Sequence, residues 1–432
     1  MSLNTTPSAD RVHIGIFGKR NAGKSSLINA ITGQDLAIVS DVLGTTTDPV
    51  LKAMELLPLG PVVLIDTPGL DDEGELGKLR IQKAYQILNK TDIAVLVVDA
   101  SVGMTAEDSA ILERIQAKKI PYVVVKNKSD LCAAESAAEC PDGATAERPD
   151  GAAAECPDGA AAECPDRAAS GFAPVAPERS IAVSTVTGQN IHELKELLAR
   201  LAPKDDPSHR IVGDLLAPND FVILVTPIDE SAPKGRLILP QQQTIRDILE
   251  AKAVSIVVQP EELSQTLVSL GNKPKLVITD SQAFRCVSAD VPADIPLTSF
   301  SILLARYKGS LATTVRGARA LENLKDGNKI LISEGCTHHR QCEDIGTVKL
   351  PRWIREYTGK NVEFVFTSGT EFPVDLYPYA LIVHCGGCTL NEREMKYRLK
   401  CAEDQNIPMT NYGICIAYIN GILERSVNMF EV

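Results

Sequence analysis

The sequence predicts an α/β protein in which one larger and two smaller α/β domains with parallel sheets follow one another, and three observations carry that expectation. Short β-branched runs alternate with amphipathic stretches along most of the chain, the pattern of parallel strands covered by helices on both faces. The Pro- and charge-rich stretch APKDDPSHR, residues 202–210, breaks the pattern once and reads as a linker. At 432 residues the chain exceeds what one hydrophobic core usually serves. The expected domains are 1–204, 209–300 and 301–432.

In the first domain, strands are expected at 12–17, 62–65, 93–98, 122–126 and 181–183. Between the fourth and fifth of these, residues 138–169 repeat with a period of eight as ECPDGATA, ERPDGAAA, ECPDGAAA and ECPDRAAS. Pro-Asp-Gly turn chemistry with almost no large apolar side chain cannot offset the entropy of its own ordering, so the tract reads as a low-complexity insertion. Its three cysteines, Cys140, Cys156 and Cys164, could gather a soft metal, but a repeat expansion in a surface loop explains them more simply. In the second domain, strands are expected at 221–225, 255–258 and 276–279, with helices at 242–252 and 260–270. The pattern resets near Phe300. The third domain then offers strands at 329–333, 362–367 and 379–384, with helices after Gly346, Asn391 and Tyr412.

Composition excludes several classes of function. With 44 Lys plus Arg against 56 Asp plus Glu the net charge is −12, which disfavours bulk attraction to nucleic acid or an anionic membrane. The octad tract holds eight of the acids and two arginines, so it supplies half of that charge. No apolar run approaches the ~20 residues of a membrane span. The N-terminus lacks the basic and apolar regions of a secretory signal, and eleven cysteines is an odd count. A reducing, cytoplasmic setting is therefore expected, where ordered cysteines serve as metal ligands or reactive thiols rather than disulfides.

The strongest chemical signal follows the first strand. GKRNAGKS, Gly18 to Ser25, leads into the helical SLINAITG and is a G-x-x-x-x-G-K-S loop in strand-loop-helix context. Gly18 and Gly23 let backbone N–H groups curl around phosphate oxygens. Lys24 neutralises the β and γ phosphates, Ser25 offers a hydroxyl to Mg²⁺, and Ser26 continues the helix start. A ligand-free glycine turn is the bland alternative, and the motifs that follow argue against it. DTPG places Asp66 at a strand end, able to hold the Mg²⁺ water shell, and Gly69 where its N–H meets the γ-phosphate. In NKSD, Asp130 can accept from guanine N1–H and N2–H, which adenine does not offer, and Asn127 and Lys128 complete that pocket. Ser184 and Thr185 stand where a loop backbone would cap guanine O6.

This set resembles the translation-factor-class GTPases of the Era and TrmE type. The resemblance implies that GTTTDP, residues 44–49, is a first switch with Thr46 as Mg²⁺ ligand and γ-phosphate sensor, and that Lys24, Thr46 and Gly69 carry the hydrolysis. Position 70 is leucine where a water-orienting glutamine would stand. Asn21 matches the asparagine that coordinates K⁺ in the potassium-activated members, so slow, K⁺-stimulated hydrolysis is expected.

The second signal lies in the third domain. EGCTHHRQC follows one expected strand and HCGGC ends another. Ligands collect at the carboxyl ends of parallel strands, so Cys336 and His338 can converge with His384, Cys385 and Cys388. Spacing alone leaves a zinc site, an iron–sulfur cubane and an unliganded redox dithiol all open. Cys342, Cys401 and Cys415 read as small core hydrophobes, and His339 as a solvated or supporting imidazole.

A GTPase joined to C-x-H and H-C-x-x-C resembles the HydF family of [FeFe]-hydrogenase maturation GTPases over the whole chain except the octad tract. The resemblance implies a dimerising middle domain and a [4Fe–4S] cluster on Cys336, Cys385 and Cys388, with His338 or His384 at, or behind, an exchangeable fourth position. It also implies a scaffold that receives a diiron subcluster cargo from radical-SAM maturases and delivers it to apo-hydrogenase as a homodimer, engaging neither nucleic acid nor membrane. The alternative is an RNA-modification or ribosome-assembly GTPase with a structural zinc domain. It calls for a basic accessory surface, yet residues 203–432 contain no Lys/Arg run longer than a pair. A dithiol redox enzyme would leave Cys336 and both histidines without a role.

Overall fold

The computed structural model describes residues 6–34, 50–67, 84–131, 177–203, 210–228, 237–335, 344–369 and 371–430. The expectations attached to Thr46, Gly69, Cys336, His338 and the octad tract lie outside these residues. The chain divides into two compact units, Arg11–Lys204 and Met1–Asp10 together with Asp205–Val432.

The first unit is built on a six-stranded sheet of order β2-β3-β1-β4-β5-β6. Its strands are β1 (Val12–Phe17), β2 (Val50–Leu56), β3 (Gly60–Asp66), β4 (Ile93–Asp99), β5 (Tyr122–Asn127) and β6 (Ser180–Ala182). The central strands are parallel, with Ile14 of β1 opposite Leu64 on one side and Ile93 on the other. Because β4 is apolar at every position but its last, it feeds both faces. Val95 and Val97 join Ile28, Ile31 and Leu194 under α1 (Lys24–Thr32) and α3 (Ile191–Leu201), while Leu96 joins Ile111 and Ile115 under α2 (Ala106–Ala117). The sequence reading missed β2, which runs antiparallel to β3 at the sheet edge. Its alternation of exposed and covered residues reflects one solvated face.

The second unit holds two four-stranded parallel sheets. One has the order β10-β9-β7-β8, from β7 (Phe221–Val225), β8 (Val254–Val258), β9 (Leu276–Thr279) and β10 (Leu297–Ser299). Its helices are α4 (Leu239–Glu250), α5 (Leu263–Ser269), α6 (Phe284–Asp290), α7 (Phe300–Tyr307) and α8 (Leu311–Ala318). The helix expected at 242–252 begins three residues earlier because Pro240, whose missing N–H costs nothing in a first turn, opens it.

The other sheet has the order β12-β11-β13-β14, from β11 (Lys329–Ser333), β12 (Glu363–Thr367), β13 (Leu381–His384) and β14 (Met409–Asn411). It is covered by α9 (Leu350–Thr358), α10 (Glu392–Asp404) and α11 (Tyr412–Ile419), while α12 (Leu423–Val427) packs against the first sheet. The reading also missed β10 and β14. Each is three residues long and runs straight into a helix capped by its own last residue, Ser299 accepting from the N–H of Ile302 and Asn411 from that of Ile414. That merging is why Phe300 looks like a reset.

Phe300 and Leu303 sit in the core of the β7 sheet beside Leu224 and Ile278. On that sheet's other face, Ile414, Ala417 and Leu423 share a cluster with Ile223, Val225 and Val277. Helices that follow the second sheet therefore complete the core of the first.

Candidate functional site

Two clusters of functional side chains form, one in each unit. In the first, the chain leaves β1 through Gly18 (φ +142°), where a Cβ would lie 2.2 Å from the carbonyl oxygen of Val97. Gly23 (φ +91°) precedes α1, and a Cβ there would lie 2.1 Å from Asn127 Nδ2. Only glycine satisfies both constraints, so the loop packs closely against the strand ends beside it. Lys24, nine-tenths buried, arches back to donate to the carbonyl oxygens of Gly18 at 2.9 Å and Lys19 at 2.6 Å. Asn21 adopts φ +60° and is exposed, and Ser26 is half-buried in the first turn of α1.

Ser25 Oγ donates to Asp66 Oδ2 at 3.1 Å. Hydroxyl and carboxylate thus stand side by side, as a shared Mg²⁺ requires. Burial pushes the Asp66 carboxyl up, against the pull of Lys24 and Ser25.

Asn127 Nδ2 donates to the Ala22 carbonyl at 3.0 Å, tying the end of β5 to the loop after β1. Lys128 (φ +64°) donates to Asp99 Oδ2 at 2.6 Å. Asn127 Oδ1 and Asp130 Oδ1 are buried oxygens with no hydrogen-bond partner among the described residues. An orphaned buried carboxylate oxygen is costly, and a ligand carrying N–H donors would satisfy it. Ser184 is buried where the backbone turns after β6, its hydroxyl accepting from the Thr187 N–H at 3.2 Å, with Thr185 half-buried beside it. The structure brings together Gly18, Gly23, Lys24, Ser25, Asp66 and Asn127.

In the second unit the strand order β12-β11-β13 makes the ends of β11 and β13 a topological switch point, the place where α/β sheets open a crevice. Ser333 and His384 pair across it. Cys385 Sγ accepts from the N–H of Gly335 at 3.0 Å and of Gly387 at 3.4 Å. Gly387 takes φ +63°, and a Cβ there would meet Met395 Sδ at 2.7 Å, so the Cys385–Cys388 loop has no slack. Burial pushes the Cys385 thiol up to about 11 and raises Cys388, where nearby Lys308 opposes the shift.

His384 is fully buried with both ring nitrogens engaged. Arg398 Nη1 donates to Nε2 at 3.0 Å, so Nδ1 carries the proton and donates to the Cys385 carbonyl at 2.7 Å. Burial and the Arg398 charge hold the imidazole down to about 3, as a neutral ring. Arg398, itself 0% exposed, is fixed by Glu394, Ser333 and the Gly369 carbonyl. His384 is thus turned toward its neighbours instead of standing ready as a ligand. Among the described residues no group of three potential metal ligands gathers. Cys415 is buried in the core of this sheet, and Cys401 packs partly buried on the other face.

Three residues here escaped the sequence reading. Arg398 carried one signal, an arginine four residues after Glu394 on a helix face otherwise made by Met395, Leu399 and Ala402. Glu334, buried and accepting from Tyr412 Oη at 3.2 Å, stands at the strand end just before Gly335 and Cys336. Lys308, whose Nζ donates to the carbonyls of Gly387 and Leu390, gave none.

Three family models match the chain: the hydrogen maturase F tetramerization domain over residues 312–429, the hydrogen maturase F dimerization domain over 211–309, and a 50S ribosome-binding GTPase over 13–128. Curated relatives include the tRNA modification GTPase MnmE of Chromobacterium violaceum, 41% identical over 133 residues, 31% of this chain and 29% of that protein. MnmE of Laribacter hongkongensis is 38% identical over 133 residues, with the same shares of 31% and 29%. MnmE of Synechococcus sp. (strain JA-2-3B'a(2-13)) is 40% identical over 132 residues, 30% of this chain and 28% of that protein. The chain spans less than a third of the length of these relatives.

Proposed function

We propose, from the premise that this chain belongs to the hydrogen maturase F family, that it is a scaffold and carrier which holds a [4Fe–4S] cluster and delivers a diiron subcluster precursor to apo-[FeFe]-hydrogenase. GTP hydrolysis is the reaction of its N-terminal unit, and oligomerisation is built into the rest.

In the nucleotide site the tight loop between Gly18 and Gly23 would cradle the phosphates, with Lys24 released from its carbonyls onto the β and γ oxygens. Ser25, Asp66 and Thr46 would hold Mg²⁺, and Gly69 would sense the γ-phosphate. Asn21 would bring K⁺ beside the phosphates in place of the missing glutamine. Asp130, Asn127 and Lys128 would read guanine, with Ser184 and Thr185 at its O6. The partnerless Asp130 oxygen supports that reading, because guanine supplies the N–H donors it lacks.

The observation that carries the cluster reading is the meeting of the β11 and β13 ends, where the Gly335 N–H donates to Cys385 Sγ and the very next residue is Cys336. Backbone N–H groups pointed at sulfur suit thiolate ligands. Cys336, Cys385 and Cys388 would bind three irons. With both nitrogens of His384 engaged, the exchangeable fourth position falls to His338 or to the buried Glu334 carboxylate beside Cys385. A cubane with one labile ligand offers an iron to the cargo.

Anaerobic purification followed by iron and sulfide analysis and electron paramagnetic resonance tests this. A coloured protein with about four irons per chain is expected, while a colourless one with a tightly bound zinc would overturn it. The MnmE relatives, named for tRNA modification, match only 31% of this chain, whereas residues 211–309 and 312–429 match hydrogen maturase F models.

A further inference from the structure

Lys308 caps the C-terminus of α7, is 4% exposed, and drives its ammonium into the cysteine site. Nζ donates to the carbonyl of Gly387 and, at 2.5 Å, to that of Leu390. Both acceptors belong to the loop that carries Cys388. The same helix face continues with Leu304 and Ser301, four and seven residues before Lys308: a methyl added at Gly386 would meet Ser301 Oγ at 3.6 Å and Leu304 Cδ1 at 3.8 Å. One wall of the cysteine loop is therefore supplied by the stretch that matches the dimerization model, residues 211–309.

Two carbonyls are poor compensation for a buried ammonium, which normally keeps a carboxylate or a comparable anion beside it. Among the described residues no carboxylate comes within ion-pair distance of Lys308. The groups whose charge reaches it are Cys388, then Asp10, Cys385 and Glu392. Asp10 is held by Gln243, which donates to its Oδ2 at 2.7 Å. A cubane held by three thiolates carries net negative charge and would supply the missing anion.

We infer that Lys308 is a positioning residue of the cluster site: it holds the Cys385–Cys388 loop by two carbonyls and supplies the buried positive charge against which an anionic, thiolate-bound cluster rests. The inference depends on the proposal that Cys385 and Cys388 bind the cluster. Reduction adds an electron to that cluster, and a fixed cation nearby favours the extra negative charge, so Lys308 raises the midpoint potential.

The test uses full-length protein with anaerobically reconstituted iron and sulfide, comparing the native chain with Lys308→Met and Lys308→Arg. Cluster content, the paramagnetic resonance spectrum of the reduced state, the midpoint potential and the oligomeric state are measured for each. In Lys308→Met the potential shifts negative and the g-values change, whereas Lys308→Arg stays close to native. Loss of the cluster from Lys308→Met with retention in Lys308→Arg supports the same conclusion. An unchanged potential in Lys308→Met overturns it, and so does an equal shift or equal loss in both variants, since charge would then not be the cause. If Lys308→Met does not fold to the native oligomer, Asp10→Asn is read instead. Removing that anion should move the potential positive, and no movement overturns the inference. A native protein that takes up no cluster refutes the cluster assignment itself, and the inference with it.

Discussion

Asp130 shows how a single side chain can be built for something outside the chain. Its Oδ1 is buried without a partner among the described residues, a cost that guanine N1–H and N2–H would repay under the proposed reading. Hydrogen bonds to a charged acceptor are worth ~1.5–3 kcal/mol, so Asp130→Asn should weaken GTP binding roughly 10- to 100-fold. The asparagine amide would instead donate to a carbonyl at position 2 of the base, so xanthosine triphosphate should bind the variant better than GTP does. Fluorescence titration with both nucleotides checks this, and equal weakening of both would remove Asp130 from base recognition. Residues of this kind were legible in the sequence because their motif is contiguous: Gly18 to Ser25, Asp66 and Asn127 to Asp130 each declare themselves by neighbours a few positions away. Lys308 and Arg398 were not. The carbonyls Lys308 reaches lie 79 and 82 residues on, and the imidazole that engages Arg398 is 14 residues back on another element, so no local pattern encodes either one.

Among the strands, β8 stands out. It is an edge strand, paired only with β7 among the described residues, and leaves Val254 and Val257 38% and 43% exposed. An apolar, unblunted edge invites pairing with another chain, and the stretch around it matches a dimerization domain. Val257→Lys should weaken self-association roughly tenfold or more, since desolvating an ammonium there exceeds the ~1.4 kcal/mol that a tenfold change requires. Sedimentation equilibrium against the native chain measures it, and an unchanged association constant would place the contact elsewhere. Strands were legible where they were long and uniformly apolar. β11 lies where the alternation placed it, whereas β10 and β14 were too short to show a period, and β2, half solvated, broke the all-parallel expectation. The cysteine crevice was legible only as two strand ends. Which ends are adjacent is a matter of strand order, and the sequence does not state it.

For the molecule as a whole, the chain divides into two compact units, one matched as a GTPase and the other holding the cysteine crevice. Cys385→Ser should lose cluster binding yet keep GTP turnover within about twofold of native. Parallel loss of both, measured by iron content and phosphate release on the same preparation, would refute that independence. The second unit is not separable in this way. Ile414, Ala417 and Leu423, from the stretch matched as a tetramerization domain, are buried with Ile223, Val225 and Val277 of the stretch matched as a dimerization domain. Two segments that share one core are a single unit of inheritance: recombination between them would strand apolar faces on both products. A GTPase with its own complete core could be joined to that pair, or exchanged for another, without such a penalty. A lineage could therefore rebuild the nucleotide end of this protein far more freely than it could divide the cysteine end.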